Sequence, residues 1–139
     1  MDNRAKHLEL IQGVINRMGE NSFHIKGWTL ALIGIVGGAS AFGQRLYSIV
    51  GIFIPLVAFW FLDSYYLQQE RNYRALYDTV RTNEINADDF TMNTKGLSLK
   101  GDEGKRLIFR KCLFSKTEAG FYLPLIISIL LVYAAITIY

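Results

Sequence analysis

Three long stretches without a charged residue constrain this sequence more than any other feature. They lie between Lys26 and Arg45, between Arg45 and Asp63, and after Glu118, and they hold 18, 17 and 21 residues. A helix that spans a bilayer needs roughly 20 apolar residues, with about 17 as the lower limit. A chain of 139 residues has room for one domain, which cannot bury three such helices in a soluble core. The sequence therefore predicts an all-α membrane protein with three transmembrane helices.

The distribution of Lys and Arg predicts how these helices are oriented. Residues 1–26 carry four basic residues and the segment 63–118 carries ten, whereas the turn between the first two spans carries only Arg45 and none follows the third span. Basic residues stay on the cytoplasmic side of a membrane. The N-terminus and the long central segment are therefore predicted to be cytoplasmic, and the C-terminus periplasmic.

Residues 1–22 are predicted to form a cytoplasmic amphipathic helix. Leu8, Ile11, Val14, Ile15 and Met18 recur at helical spacing and form one apolar face. This helix could lie on the inner membrane surface or pack against other cytoplasmic helices, and the sequence does not choose between them. The segment "MGENS" (18–22) is a plausible stop and restart, although a continuous helix is also possible because Gly costs only about 1 kcal/mol relative to Ala.

The first span and its turn (23–45) carry a stripe of small residues that predicts close helix packing. A second stripe in the following span has the same rhythm, and small residues let helix backbones approach closely in lipid. We expect an antiparallel hairpin of the two spans, with packing between copies as the competing use. The predicted helix-packing residues are Gly27, Ala31, Gly34, Gly38, Gly51 and Ala58.

The second span (46–82) is predicted to continue as one helix beyond the membrane. Leu67, Tyr73, Leu76, Tyr77 and Val80 extend an apolar stripe into a polar segment, and no Gly or Pro occurs between residues 56 and 82. Such a stripe has to be covered in water, either by the N-terminal amphipathic helix or by a neighbouring subunit. Asp63 lies where the second span is predicted to leave the membrane. It is interpreted as an interfacial charge near Lys26 or, alternatively, as a functional acid within the membrane.

Residues 83–116 lose the helical pattern and are predicted to form a cytoplasmic basic loop or hairpin. The run "GLSLKGDEGKRLIF" (96–109) is typical of two short strands around a turn. Ser115 and Glu118 form a capping-box pattern directly before the third transmembrane helix, predicted at 117–139, and Pro124 sits near the start of that helix.

The sequence contains little that could carry chemistry. It has no P-loop, no nucleophile-elbow motif, no zinc-protease motif and no cysteine pair. His7 and His24 are predicted to be surface or interfacial residues. Cys112 has basic neighbours, Arg110 and Lys111, that could lower its pKa, although a spectator thiol is the preferred interpretation. We therefore predict that the protein is not an enzyme and needs no cofactor or metal.

A basic cluster in the central segment is the remaining functional signal. It could face anionic lipid, or it could bind the phosphates of a nucleotide or oligonucleotide, with Tyr66, Tyr73 or Tyr77 stacking on bases. The predicted ligand-binding residues are Lys95, Lys100, Lys105, Arg106, Arg110 and Lys111.

Four segments carry a family resemblance: "KHLELIQGVINRMGENSFHIKGW" (6–28), "FWFLDSYYLQQERNYRALYDTVR" (59–81), "DDFTMN" (88–93) and "SKTEAGFYLPL" (115–125). Their overall pattern resembles small bacterial membrane effectors of antiviral systems that include nucleotidyltransferases, such as the Hailong system channel effector. The resemblance implies an inner-membrane homo-oligomer, a tetramer or similar. It also implies control by a nucleotide or oligonucleotide made by the partner enzyme, and loss of membrane potential when the channel opens.

Two functional hypotheses follow from these observations. The first is an oligomeric inner-membrane channel effector, gated by a ligand on its cytoplasmic basic segment, with a largely hydrophobic pore that closes by dewetting. The second is a noncatalytic membrane adaptor whose cytoplasmic helices dock a partner protein.

Overall fold

The structure, a computed structural model, describes residues 3–40, 45–82, 90–94 and 109–138. This part of the chain is mostly helical, and residues 90–94 lie outside any helix. There are four helices in these ranges: α1 (Asn3–Ser40), α2 (Arg45–Arg81), α3 (Phe109–Leu113) and α4 (Lys116–Ile138). The described ranges contain no strand, so the predicted all-α class is confirmed. The predicted strand hairpin falls almost wholly on residues 95–108, which lie outside the described ranges.

Helix α1 is one continuous helix of 38 residues, roughly 57 Å long. The predicted boundary at residue 22, between a separate amphipathic helix and the first span, is therefore not a break in the helix. Ser22, at the predicted restart, uses its hydroxyl to bind Asp63 of α2. Residues 18–22 thus lie along a helix–helix contact, which favours the continuous helix over a turn.

Helices α1 and α2 pack side by side as an antiparallel hairpin, as the sequence predicted. Ile11 and Ile15 of α1 form a buried cluster with Leu76 and Val80 of α2, and Leu8, Tyr73, Tyr77 and Met92 pack around it. The apolar stripe that continues along α2 is therefore covered by the N-terminal part of α1. Of the two alternatives for that amphipathic part, packing on another helix is the one observed.

The small-residue stripe does not make the α1–α2 contact. A Cβ atom built on Gly27, Gly34 or Gly38 would have no neighbour within 4 Å, and Ala31 is exposed. Gly51 of α2 does face α1, since its Cβ would lie 4.0 Å from Val36, whereas Ala58 is exposed. The prediction that the stripe packs within the chain is therefore wrong for the three α1 glycines, and packing between copies stays a prediction.

Among the described residues, one helix is long and apolar enough to cross a membrane. It is the stretch Lys116–Ala135 of α4, and only 11% of it is buried within the chain. The core helix of a soluble protein would be mostly buried, so the exposure of α4 fits lipid better than a protein interior. The described residues therefore support one membrane span and not the three that the sequence predicted. The first two predicted spans each include residues between 39 and 50, whose side chains lie outside the described set.

Candidate functional site: a buried charge cluster where three helices meet

Three charged residues that bound the apolar stretches in sequence lie together in the fold. Lys26 of α1 forms ion pairs with Asp63 of α2 and with Glu118 of α4, the latter at 3.0 Å between Nζ and Oε1. The carboxylates are 0% and 1% exposed and the lysine side chain 18%. We call these three residues, with Ser22 and Tyr122, the charge cluster.

Asp63 is the most heavily bonded member of the charge cluster. Its carboxylate accepts hydrogen bonds from Lys26 Nζ, from Ser22 Oγ and, at 3.0 Å, from the hydroxyl of Tyr122. The predicted proximity to Lys26 is thus confirmed, but the carboxylate is completely buried within the protein. A buried carboxylate needs such donors because its desolvation is otherwise very costly.

Glu118 has a different role from the one that its capping-box pattern predicted. Its backbone N–H donates to Ser115 Oγ at 3.3 Å, so Ser115 caps the start of α4 as expected. The Glu118 side chain, however, points to Lys26 rather than back to the cap. Its second oxygen, Oε2, is buried and has no hydrogen-bond partner in the described part of the chain.

Aromatic rings pack around the charge cluster. Trp60 stacks on Tyr122 with ring centroids 5.9 Å apart, and Lys26 Nζ lies 5.8 Å from the centre of the Phe121 ring. Trp60 Nε1 also donates to the carbonyl of Leu113, at 3.1 Å, which ties α3 to the same place. These contacts fasten the first two turns of α4 to the α1–α2 hairpin.

The predicted ligand-binding residues are only partly within the described structure. Arg110 and Lys111 lie on α3 and are both exposed, while Lys95, Lys100, Lys105 and Arg106 fall outside the described ranges. The short helix α3 therefore presents two of the six basic side chains to solvent, close to where Trp60 holds its end.

Cys112 lies on the opposite, buried side of α3. Burial raises the pKa of its thiol, an effect that the nearby Arg71 guanidinium, 3.9 Å from Sγ, only partly offsets. The alternative, in which Arg110 and Lys111 lower this pKa, is not supported, because both of those side chains are exposed. A spectator thiol remains the interpretation that fits.

His7 is buried rather than superficial, which corrects its predicted surface position. Its Nε2 lies 3.0 Å from the carbonyl oxygen of Thr91, and its ring is 5.5 Å from that of Phe90. His7 thereby holds residues 90–94 against α1. His24 is exposed, as predicted.

Tyr73 and Tyr77, two of the tyrosines predicted to stack on bases, are partly buried against the apolar cluster of the hairpin. This position leaves them poorly placed to stack on bases.

Comparisons with family models, curated proteins and solved structures found no match to this chain.

Sequence reasoning named Lys26 and Asp63 as neighbours but missed Glu118 and Tyr122 as members of the charge cluster. Tyr122 and Asp63 are 59 positions apart, and Lys26 and Glu118 are 92 apart, so no local pattern links them. One signal was available: Lys26, Asp63 and Glu118 are the charges next to the three apolar stretches.

Proposed function

We propose that this protein is an oligomeric channel of the bacterial inner membrane, gated from its cytoplasmic side. The observation that carries the proposal is the meeting of Lys26, Asp63 and Glu118 in one cluster. Each of them ends an uncharged stretch, so the apolar parts of α1, α2 and α4 all begin at this cluster. In this proposal the three apolar parts run from the cluster into a bilayer, and the charge cluster lies at its cytoplasmic boundary.

The surfaces of the three apolar parts support this arrangement. Each exposes large aliphatic side chains, among them Ile35 at 71%, Ile54 at 66% and Leu131 at 65%. Isolated exposed aliphatics are normal on a soluble protein, but large apolar side chains exposed along three helices have to be covered. Lipid and neighbouring copies of the chain cover it in this proposal.

The remaining halves of α1 and α2 form the cytoplasmic part. The excess of Lys and Arg in residues 1–26 and 63–118 supports this orientation, with the C-terminus in the periplasm. In this half the hairpin closes its own apolar core around Ile11, Ile15, Leu76 and Val80, so it is built as a rigid rod. A rigid rod continuous with two membrane helices transmits force between the cytoplasm and the pore.

Helix α3 connects the basic segment to this cytoplasmic part of the α1–α2 hairpin. Arg110 and Lys111 are exposed for an anionic ligand, and the carbonyl of Leu113 is held by Trp60, which itself packs on Tyr122 of the charge cluster. A nucleotide or oligonucleotide on Lys95, Lys100, Lys105, Arg106, Arg110 and Lys111 would thus act on the joint between α2 and α4. The resemblance to antiviral effectors adds that opening collapses the membrane potential.

Reconstitution of the purified protein in liposomes tests the proposal. Ion flux is measured with and without short oligonucleotides, for the wild type and for a variant with Lys105, Arg106 and Arg110 changed to Glu. We expect flux in the wild type that oligonucleotides alter, and flux that no longer responds in the variant. A Lys6→Glu variant, which changes an exposed charge on α1 outside the basic segment, controls for charge alone.

Liposomes that never conduct would contradict the channel. The alternative, a membrane adaptor, predicts no flux under any of these conditions and the loss of a bound partner protein in the charge-reversed variant.

A further inference from the structure

The charge cluster contains one cation and two carboxylates. Lys26 is the cation, and Asp63 and Glu118 are both almost completely buried. With all three groups ionised the cluster carries a net charge of −1, away from water and beside the apolar part of the protein. Uncompensated buried charge is strongly unfavourable, so the composition of the cluster calls for one more positive charge.

One atom of the charge cluster shows where this additional positive charge would bind. Glu118 Oε2 is buried and has no hydrogen-bond donor within the described residues, while Glu118 Oε1 is held by Lys26. The Asp63 and Glu118 carboxyl groups also bind the same ammonium group, Lys26 Nζ, so they lie next to each other. Two buried carboxylates side by side repel each other when both are ionised, and a proton on one of them removes that repulsion.

We infer that the charge cluster is a proton-binding site, in which Glu118 holds one proton and Lys26 balances the negative charge of Asp63. A proton fits better than a metal ion, because the described residues contain no group of three His, Cys, Asp or Glu side chains placed for metal binding. The proton makes the cluster neutral and removes the uncompensated negative charge at Glu118 Oε2. This inference stands whether or not the protein conducts ions.

The other groups of the charge cluster that surround this proton come from each helix at the junction. Lys26 and Ser22 face it from α1, Asp63 from α2, and Tyr122 from α4. Cys112 of α3 lies nearby with Arg71 of α2. Loss of the proton places two like charges between α2 and α4, and therefore loosens the attachment of α4 to the hairpin.

Infrared spectroscopy of the full chain in detergent micelles tests the inference. A protonated carboxyl group gives a C=O stretching band, separate from the bands of ionised carboxylates, that shifts in D2O. We expect one buried carboxyl band in the wild type at neutral pH. Glu118→Gln should lose the band because it removes the group that carries the proton. Asp63→Asn should lose it as well, because it leaves a neutral ion pair of Lys26 with Glu118.

Two exposed acids give matched controls. Asp78→Asn and Glu9→Gln make the same chemical changes at exposed positions of α2 and α1, and they should keep the band. A wild-type spectrum with no protonated carboxyl at neutral pH overturns the inference, even if a variant fails to fold. A band that survives in both Asp63→Asn and Glu118→Gln overturns it as well.

The dependence of stability on pH gives a second, independent readout. A group that holds a proton in the folded state and loses it on unfolding makes the protein less stable as pH rises. We expect the wild type to lose thermal stability between mildly acidic and neutral pH by the slope of one proton, and Glu118→Gln to lack that slope. Equal slopes in the two proteins would contradict a proton held at Glu118.

Discussion

At the scale of single residues, we expect the replacement of Lys26 to have the largest effect on stability of any change in the charge cluster. Its ammonium group is the described partner of both Asp63 and Glu118. Removing one partner of a buried ion pair costs about 3–5 kcal/mol, because the other charge is left buried and uncompensated. Lys26→Met should therefore lower the unfolding free energy in micelles by that amount, which thermal unfolding followed by circular dichroism measures.

Arg74→Met is the control for this change. It removes an ion pair with Glu70 in which the arginine is 62% exposed. Exposed pairs contribute about 0–1 kcal/mol, so the control should change stability little. Equal effects of the two variants would show that the charge cluster is not buried in the folded protein.

The thiol of Cys112 gives a prediction about reactivity. Burial raises its pKa, so a smaller fraction is thiolate at neutral pH than for a free cysteine, and the thiolate is the reactive form. We expect iodoacetamide to modify Cys112 more slowly in the folded protein than a thiol at residue 114, introduced as Phe114→Cys in a Cys112→Ser background. Phe114 is 63% exposed, so the two positions differ in burial while lying on the same short segment. Equal alkylation rates would contradict the buried position of Cys112.

At the scale of helices, the packing of α1 on α2 predicts which apolar residues matter. Ile11 is completely buried in the cluster with Leu76 and Val80, whereas its neighbour Leu10 is 50% exposed. Ile11→Ala should destabilise the protein by about 2–5 kcal/mol, through lost burial and the cavity left behind. Leu10→Ala should stay within about 0.5 kcal/mol of the wild type. Denaturant unfolding of both variants measures the difference, and similar losses would contradict the observed pairing of the two helices.

The helices themselves were largely predictable from the sequence, because their signals are local. The long α2, expected from about Leu46 to Thr82, is observed at Arg45–Arg81, and the Ser115 cap marks the start of α4. The apolar stripe on α2 predicted that another element covers it, and α1 does so. These features depend on residues a few positions apart, where periodicity and capping chemistry act.

The contacts between helices were less predictable, because they depend on how helices rotate about their axes. The glycine stripe of α1 predicted contact with α2, but the hairpin presents Val36 to Gly51 and leaves Gly34 and Gly38 open. His7 gave no periodic signal that residues 90–94 would cover it. From the sequence alone, a polar side chain is predicted to be exposed unless the segment that buries it is known.

At the scale of the whole molecule, the open glycine face of α1 predicts assembly between copies. A Cβ at Gly34 or Gly38 meets nothing within the chain, so larger side chains do not disturb the described fold. They would hold apart two helices that approach closely through small residues. Gly34→Leu with Gly38→Leu should therefore reduce the mass of the detergent-solubilised particle, measured by light scattering, and abolish flux in liposomes.

The matched control for assembly is Gly13→Leu. Gly13 also lies on α1 with no neighbour at its Cβ position, but in the amphipathic half rather than the apolar one. Replacing a helical glycine removes a cost of roughly 0.5–1 kcal/mol, so all these variants should fold at least as well as the wild type. A loss of mass confined to the Gly34 and Gly38 variant then reports on contacts between copies, because the helix itself gains stability. An unchanged mass would mean that the glycine face meets lipid, and that any pore is assembled through another helix.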